Sequence, residues 1–155
     1  MTSRWLSAGT CSSRKIWETQ RSLTDEGYRL VVPTRRAYGV GAAGRGEDYV
    51  TAAEDVAPLL GDGAHLVGHS YGALVTMLVA AARPDAVRSL TLVEQPATRA
   101  AAGDADVALF RAALERASAG TGSDWEFLQD FLRAVGATAE AFPPEMLTRV
   151  SGDVR

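Results

Sequence analysis

The sequence predicts an α/β fold in which helices flank a parallel sheet. Three short apolar runs, residues 28–32, 64–68 and 89–93, are each followed by turn residues and then by a longer segment of helical period. Strands that alternate with helices along a chain are typical of doubly wound α/β layers. The runs are continuous rather than alternating in hydrophobicity, which is the pattern of strands covered on both faces. We therefore expect about three or four parallel strands.

The helical segments between these runs can be placed from their boundary residues. Residues 14–26 form the first, and Gly27 is a favoured helix end. Residues 49–60 form the second, in which Pro58 should disturb the last turn because proline lacks a backbone N–H group. Residues 71–83 are apolar nearly all round, which predicts a helix packed deeply against the sheet.

The pattern changes after residue 96, where no further strand is predicted. Two helical stretches follow, at residues 104–119 and 124–135, and another helix is expected to begin at Glu145. We expect residues 1–96 to form the N-terminal part of an α/β core. Residues 97–155 are expected to form an incomplete, cap-like helical segment.

Composition excludes several classes of function. The 155 residues carry a formal net charge of -3, which provides no basic face for nucleic acid. A single cysteine, Cys11, excludes an intrachain disulfide and a cysteine metal cage, and the carboxylates show no metal-ligand spacing. The chain start does not resemble a signal peptide, and no apolar run approaches the ~20 residues of a membrane helix. We expect a cytoplasmic protein without metal, membrane or nucleic-acid partners.

The strongest chemical signal is the segment Gly68-His69-Ser70-Tyr71-Gly72, a G-x-S-x-G motif between a predicted strand and a predicted helix. A serine on such a tight turn has its hydroxyl lifted clear of the sheet, and the glycines Gly68 and Gly72 avoid clashes across the turn. The following helix directs its partly positive N-terminus at any oxyanion formed beside Ser70. An idle serine in a glycine-rich turn is the alternative interpretation.

This motif in its context resembles the nucleophile turn of the α/β-hydrolase superfamily, in particular its small esterase-like members. The resemblance implies that Ser70 is the nucleophile of acyl hydrolysis, with the backbone N–H groups of Tyr71 and Thr10 as oxyanion donors. The sequence departs from the family pattern in two loops, where Ala8 replaces the usual histidine and Thr34 the usual aspartate. Each departure removes a contact that braces these loops in the family.

The catalytic base is the main departure from the family. In the family this histidine follows a later strand, which we expect to lie beyond Arg155, so the chain looks truncated. The two histidines present are His65 and His69. Neighbouring residues on a strand point to opposite faces, so His69 does not easily reach the Ser70 hydroxyl. His65 lies roughly 16 Å back along the strand.

Glu94 follows the third apolar run, where some members of the family hold the catalytic acid. The alternative is a solvated carboxylate at a strand end, since no histidine is predicted for Glu94 to orient. Cys11 is interpreted as a small buried residue rather than a nucleophile, because no histidine is positioned to lower its pKa.

Three hypotheses of function remain open. The chain is a hydrolase fragment with little activity, one part of a two-chain hydrolase completed by another polypeptide, or a binding module that keeps the pocket without the chemistry. The implied substrate is a small-molecule ester or a related acyl compound, and no cofactor is implied. An uncovered edge on the strand at residues 89–93 predicts self-association or a complementing chain.

Overall fold

The computed structural model describes residues 4–8, 14–36, 48–119, 123–138, 140, 142 and 144. The chain divides into two compact units, Met1–Pro96 and Ala97–Arg155. The first unit carries the sheet and the predicted serine turn. The second unit is helical in its described part.

The first unit contains a parallel sheet whose strand order is β2-β1-β3-β4. Its described strands are β1 Arg4–Ala8, β2 Arg29–Val31, β3 Ala64–His69 and β4 Val87–Val93. This arrangement confirms the predicted α/β class and its parallel strands. The last residues of β3 and β4, His69 and Val93, are register partners, so both strands end at the same edge of the sheet.

The first unit also contains two α-helices, α1 at Tyr49–Val56 and α2 at Tyr71–Ala82. After α1 the chain tightens into a 3₁₀ turn, Ala57–Leu60, which confirms the expected disturbance at Pro58. The first predicted helix is observed as a 3₁₀ helix, Arg14–Thr24. The chain leaves this segment at Gly27, whose φ of 85° favours glycine.

The core lies between α1, α2 and one face of β3. Its most deeply buried side chains include Leu60, Leu66, Val75 and Val79, each 0% exposed. Leu66 belongs to β3 and Val75 and Val79 to α2, so burial of these aliphatic groups fixes α2 against the sheet. The position of α2 in turn fixes the turn that precedes it.

One expectation about burial was confirmed and one was wrong. Helix α2 packs against the sheet as predicted, since Val75 and Val79 are 0% exposed, although Met77 and Leu78 are 38% and 39% exposed. The continuous apolar run of β4 is not covered on both faces, since Leu90 and Val93 are 38% and 40% exposed. In the described part of the chain β4 is the last strand of the sheet, and an apolar run does not itself supply the layer that covers it.

The second unit contains the described helices α3, Ala105–Ala119, and α4, Asp124–Ala134, which pack against each other. Ser123 and Glu126 form a reciprocal capping box at the start of α4. The helix predicted to begin at Glu145 lies outside the described residues. No helix in the described part of the chain has both the length and the apolar character needed to cross a bilayer.

Candidate active site

Ser70 lies at the sharp turn between β3 and α2. Its backbone angles, φ 51° and ψ −121°, are strained for a residue with a side chain. Ser70 is the N-terminal cap residue of α2, and its carbonyl oxygen accepts a hydrogen bond from the N–H of Ala73 at 2.9 Å. The turn predicted from the G-x-S-x-G motif is therefore confirmed as a backbone structure.

Gly68 is required by the closeness of α2 to the end of β3. A Cβ at this position would lie 2.3 Å from Thr76 Oγ1, 2.6 Å from Ala73 Cα and 2.6 Å from the Gly72 carbonyl oxygen. Two of these three atoms are backbone atoms that have little freedom to move. Gly72 is itself buried in the first turn of α2. Gly68 thus allows the close approach between strand and helix.

The serine turn is joined to the end of β4 by two contacts. The backbone N–H of Ser70 donates to the carbonyl oxygen of Val93 at 2.9 Å. The imidazole Nε2 of His69 lies 3.2 Å from Glu94 Oε2. Glu94 has a φ of 50°, so the chain turns sharply as β4 ends. Ser70 and Glu94 are the non-glycine residues of the described chain that have positive φ.

His65 contacts a different serine. Its Nδ1 lies 2.8 Å from Ser89 Oγ, and these two residues are register partners in β3 and β4. The ring of Tyr28 meets the His65 imidazole edge-on, with 6.5 Å between the ring centroids. The structure therefore places a second serine beside a histidine, several residues before the serine turn.

Three side chains meet beside the first residue of α2. The ring of Tyr71 stacks on the ring of Tyr49, with 4.3 Å between centroids and 29° between the ring planes. The guanidinium carbon of Arg35 lies 4.2 Å from the Tyr71 ring centroid, in cation–π geometry. Arg35 is buried, although arginine seldom is. We call Arg35, Tyr49 and Tyr71 the Tyr71 cluster.

Two carboxylates hold α1 beside this cluster. The Arg36 guanidinium donates from Nε to Asp55 Oδ2 at 3.0 Å, and this hydrogen bond lowers the pKa of Asp55 below its ordinary value. Asp48 caps α1 by accepting from the N–H of Thr51 at 2.8 Å, which lowers the pKa of Asp48. Both side chains therefore favour the ionised form.

The structure brings together most of the predicted site residues, although their chemical roles stay predictions. Ser70, Tyr71, Gly68 and Gly72 form the turn, and Glu94 lies next to it through His69. Glu94 has a side chain that is 79% exposed. The predicted oxyanion donor Thr10, together with Cys11, lies outside the described residues.

The Tyr71 cluster was missed by sequence analysis. Arg35 and Tyr49 carry no motif, and an arginine after a strand is normally expected at the surface. The signal that was present is weak: two consecutive arginines, Arg35 and Arg36, directly after β2, of which Arg36 contacts α1 and Arg35 contacts α2.

Three solved structures with a similar fold can be compared with this chain. A probable hydrolytic enzyme from Pseudomonas aeruginosa PAO1 aligns over 97% of this chain and 50% of its own, with 21% identity and a TM-score of 0.64. A thioesterase domain from the curacin biosynthetic pathway aligns over 97% of this chain and 58% of its own, with 20% identity and a TM-score of 0.55. A bacterial membrane phospholipase A aligns over 96% of this chain and 56% of its own, with 20% identity and a TM-score of 0.54. The chain thus spans between 50% and 58% of the length of these proteins.

Sequence comparison gives the family directly. A search of curated protein sequences finds no match to the chain. The profile of the alpha/beta hydrolase family matches residues 6–153, which is nearly the whole chain and includes every described strand except the first residues of β1. From the parallel sheet, the strained serine turn and this match, we conclude that the chain belongs to the alpha/beta hydrolase family.

Proposed function

We propose that Ser70 is the nucleophile of an acyl hydrolysis reaction whose substrate is a small-molecule ester or a related acyl compound. The observation that carries this proposal is the backbone conformation of Ser70. A non-glycine residue is held at φ 51° between a buried strand and the N-terminus of a 12-residue helix. Strain of this kind persists only where the surroundings impose it, and it is concentrated at functional sites.

The proposed reaction has two steps. Ser70 Oγ attacks the carbonyl carbon while a base takes its proton, and the alcohol then leaves to give an acyl-enzyme. Water releases the acid and restores Ser70. In both steps the oxyanion would be stabilised by the backbone N–H of Tyr71, and by that of Thr10 as a second donor.

We propose that the isolated chain performs this reaction very slowly. The chain has two histidines, and the structure places His69 Nε2 against Glu94 and His65 Nδ1 against Ser89. These contacts support the expectation that neither histidine acts as the base of Ser70. Serine hydrolases without a working triad keep an acceleration of roughly 10³ to 10⁴ over water. We expect turnover of activated esters barely above background, with little change in Ser70→Ala.

The test is covalent labelling of the purified chain with an aryl fluorophosphonate, with imidazole added as an external base. The Ser70 Oγ–P bond forms as fluoride leaves, and the hydroxyl proton passes to imidazole. Peptide mass mapping should find the phosphonate on Ser70. Ser89→Ala should be labelled like the wild type, whereas Ser70→Ala should not be labelled. Ser89 is the sharpest rival because its hydroxyl already contacts a histidine, so a label on Ser89 would overturn the proposal.

A second candidate is a two-chain hydrolase in which another polypeptide supplies the base and acid. The observation that favours it is the exposure of Leu90 and Val93 on β4, at the edge of the described sheet. An apolar strand edge is a template for pairing with another chain. In this arrangement Glu94 either orients the histidine supplied by the other polypeptide or lies beside the site that the two chains form. Copurification of a protein that restores rapid, Ser70-dependent ester turnover would support this candidate.

A further inference from the structure

We propose that Arg35 and Tyr49 are positioning residues that fix the first turn of α2 by holding the ring of Tyr71. This inference rests on the proposed function, in which the backbone N–H of Tyr71 acts on the oxyanion formed at Ser70. Neither Arg35 nor Tyr49 belongs to the serine turn. Both act through Tyr71.

The ring of Tyr71 contacts side chains from two other parts of the first unit. Tyr49, the first residue of α1, stacks on its ring with 4.3 Å between centroids. Arg35, which follows β2, places its guanidinium carbon 4.2 Å from the same ring centroid. Because the ring and the N–H belong to one residue, a fixed ring limits the movement of that N–H.

The elements that hold the ring are themselves braced independently of α2. Asp48 caps the helix that carries Tyr49 through its 2.8 Å hydrogen bond from the N–H of Thr51. Arg36, the neighbour of Arg35, is paired with Asp55 in the same helix. The segment after β2 is therefore tied to α1 by one arginine and to α2 by the other.

The position of Arg35 is not explained by helix stability alone. A cation near a helix N-terminus is opposed by the helix dipole, which favours anions there. Burial of the guanidinium is a further cost unless its contacts offset it. Here the Tyr71 ring provides a cation–π contact, and the positive charge adds to the positive end of α2 that faces Ser70.

Precise placement of the N–H is worth a large factor in rate. Displacement of a reacting or stabilising group by about 1 Å can reduce a rate roughly 100-fold. The backbone at Ser70 is strained. The first turn of α2 therefore needs neighbouring side chains that hold it in one conformation. We therefore expect loss of the Arg35 contact to reduce the reaction rate of Ser70 about 10-fold or more while leaving the fold intact.

The first measurement does not depend on activity. In ¹H–¹⁵N spectra of the full chain, Arg35→Gln and Tyr49→Ala should shift and broaden the amide signals of Tyr71 and Gly72. Signals from the middle of α2, such as that of Val79, should keep their positions. Arg83→Gln is the matched control, because Arg83 is exposed at the opposite end of the same helix. Sharp, unchanged Tyr71 and Gly72 signals in Arg35→Gln would overturn the inference.

The second measurement is the rate of Ser70 labelling by the aryl fluorophosphonate with added imidazole. Arg35→Gln should lower the maximal rate of labelling about 10-fold or more at an unchanged half-saturating concentration, since placement rather than binding is lost. Arg35→Lys should recover part of the rate because it keeps the charge but not the planar stacking group. Tyr49→Phe should keep most of the labelling rate that Tyr49→Ala loses. Arg83→Gln should be labelled at the rate of the wild type.

The outcomes separate the two proposals. Absence of Ser70 labelling in the wild type would remove the proposed function, and the amide signals alone would then decide whether the Tyr71 cluster fixes the helix start. Normal Ser70 labelling with equal maximal rates in the wild type and Arg35→Gln would overturn the positioning role while leaving the proposed function in place. A change confined to the half-saturating concentration would also overturn it, because that result indicates a binding contact.

Discussion

At Ser70 the chain adopts an unfavourable backbone conformation at the turn between β3 and α2. A φ of 51° is easily reached by glycine and costs about 1 to 3 kcal/mol for most other residues. The native serine therefore stores strain that a smaller residue would release. Stability and chemistry make opposite demands at this position.

Replacement of Ser70 by glycine should stabilise the protein while removing the proposed nucleophile. The relief of strain exceeds the entropic cost of glycine, so we expect a gain of about 1 kcal/mol in the free energy of unfolding. Urea unfolding monitored by circular dichroism measures this change. Ser89→Gly in β4 is the comparison variant and should lower stability, because it adds backbone freedom and removes the contact with His65. A Ser70→Gly variant less stable than the wild type would contradict the assignment of strain.

Gly68→Ala should be among the most harmful single-methyl additions in the first unit. The new Cβ would lie within 2.6 Å of backbone atoms of Ala73 and Gly72, so β3 and α2 must separate. Overpacking of this kind typically costs about 1 to 3 kcal/mol. Gly103→Ala adds the same methyl group where nothing lies within 4 Å and should change stability by less than about 0.5 kcal/mol. Chemical denaturation of both variants tests the contrast.

At the scale of elements, α1 is held by carboxylates whose ionisation is favoured in the folded state. The pKa of Asp48 is lowered by the hydrogen bond from Thr51, and that of Asp55 by the hydrogen bond from Arg36. Both groups titrate near 3.8 in the absence of these contacts. A lowered folded-state pKa means that the stabilisation is present above the ordinary pKa and is lost as the pH falls through the folded-state value.

We therefore expect the melting temperature of the wild type to fall more steeply than that of the Asp55→Asn variant when the pH drops below about 4, the range in which free carboxylates titrate. Asp48→Asn should also flatten the profile but keep the helix cap, because asparagine caps about as well as aspartate. Asp62→Asn removes an exposed carboxylate elsewhere and serves as the control. Parallel profiles for the wild type and Asp55→Asn would exclude the Arg36 contact as a source of acid sensitivity.

The sequence was informative where local chemistry fixes the structure. Glycine spacing and the apolar run before Ser70 predicted the serine turn, because few other residues fit such a close approach of strand and helix. Coverage of β4 was predicted wrongly, since hydrophobicity along one element does not reveal what packs upon it. The Tyr71 cluster could not be predicted because its three residues come from separate elements, and their meeting depends on how the sheet is ordered.

At the scale of the whole molecule, the exposed strand β4 affects behaviour in solution. Its apolar side chains Leu90 and Val93 are partly exposed at the edge of the described sheet. We expect the average mass of the isolated chain to rise with concentration in light-scattering or sedimentation experiments. Thr91→Lys should reduce this association by placing a charge on the strand.

The control for this experiment is Leu109→Lys, which removes a more exposed apolar side chain, 70% exposed, from α3. Association that responds to Thr91→Lys but not to Leu109→Lys assigns the contact to β4. The reverse response would assign it to the second unit. A chain that stays monomeric at high concentration would remove the edge as a pairing surface.

The hydrogen bond from the N–H of Ser70 to the carbonyl oxygen of Val93 links the serine turn to β4, the outer strand of the described sheet. Strands at the edge of a sheet open at lower free energy than the core, and each opening exposes their amide hydrogens to solvent. The Ser70 amide should therefore exchange with deuterium at the rate of β4 opening, well before that of Leu66 in β3, which is fully buried. On warming, the serine turn should lose its shape while the centre of the sheet is still folded.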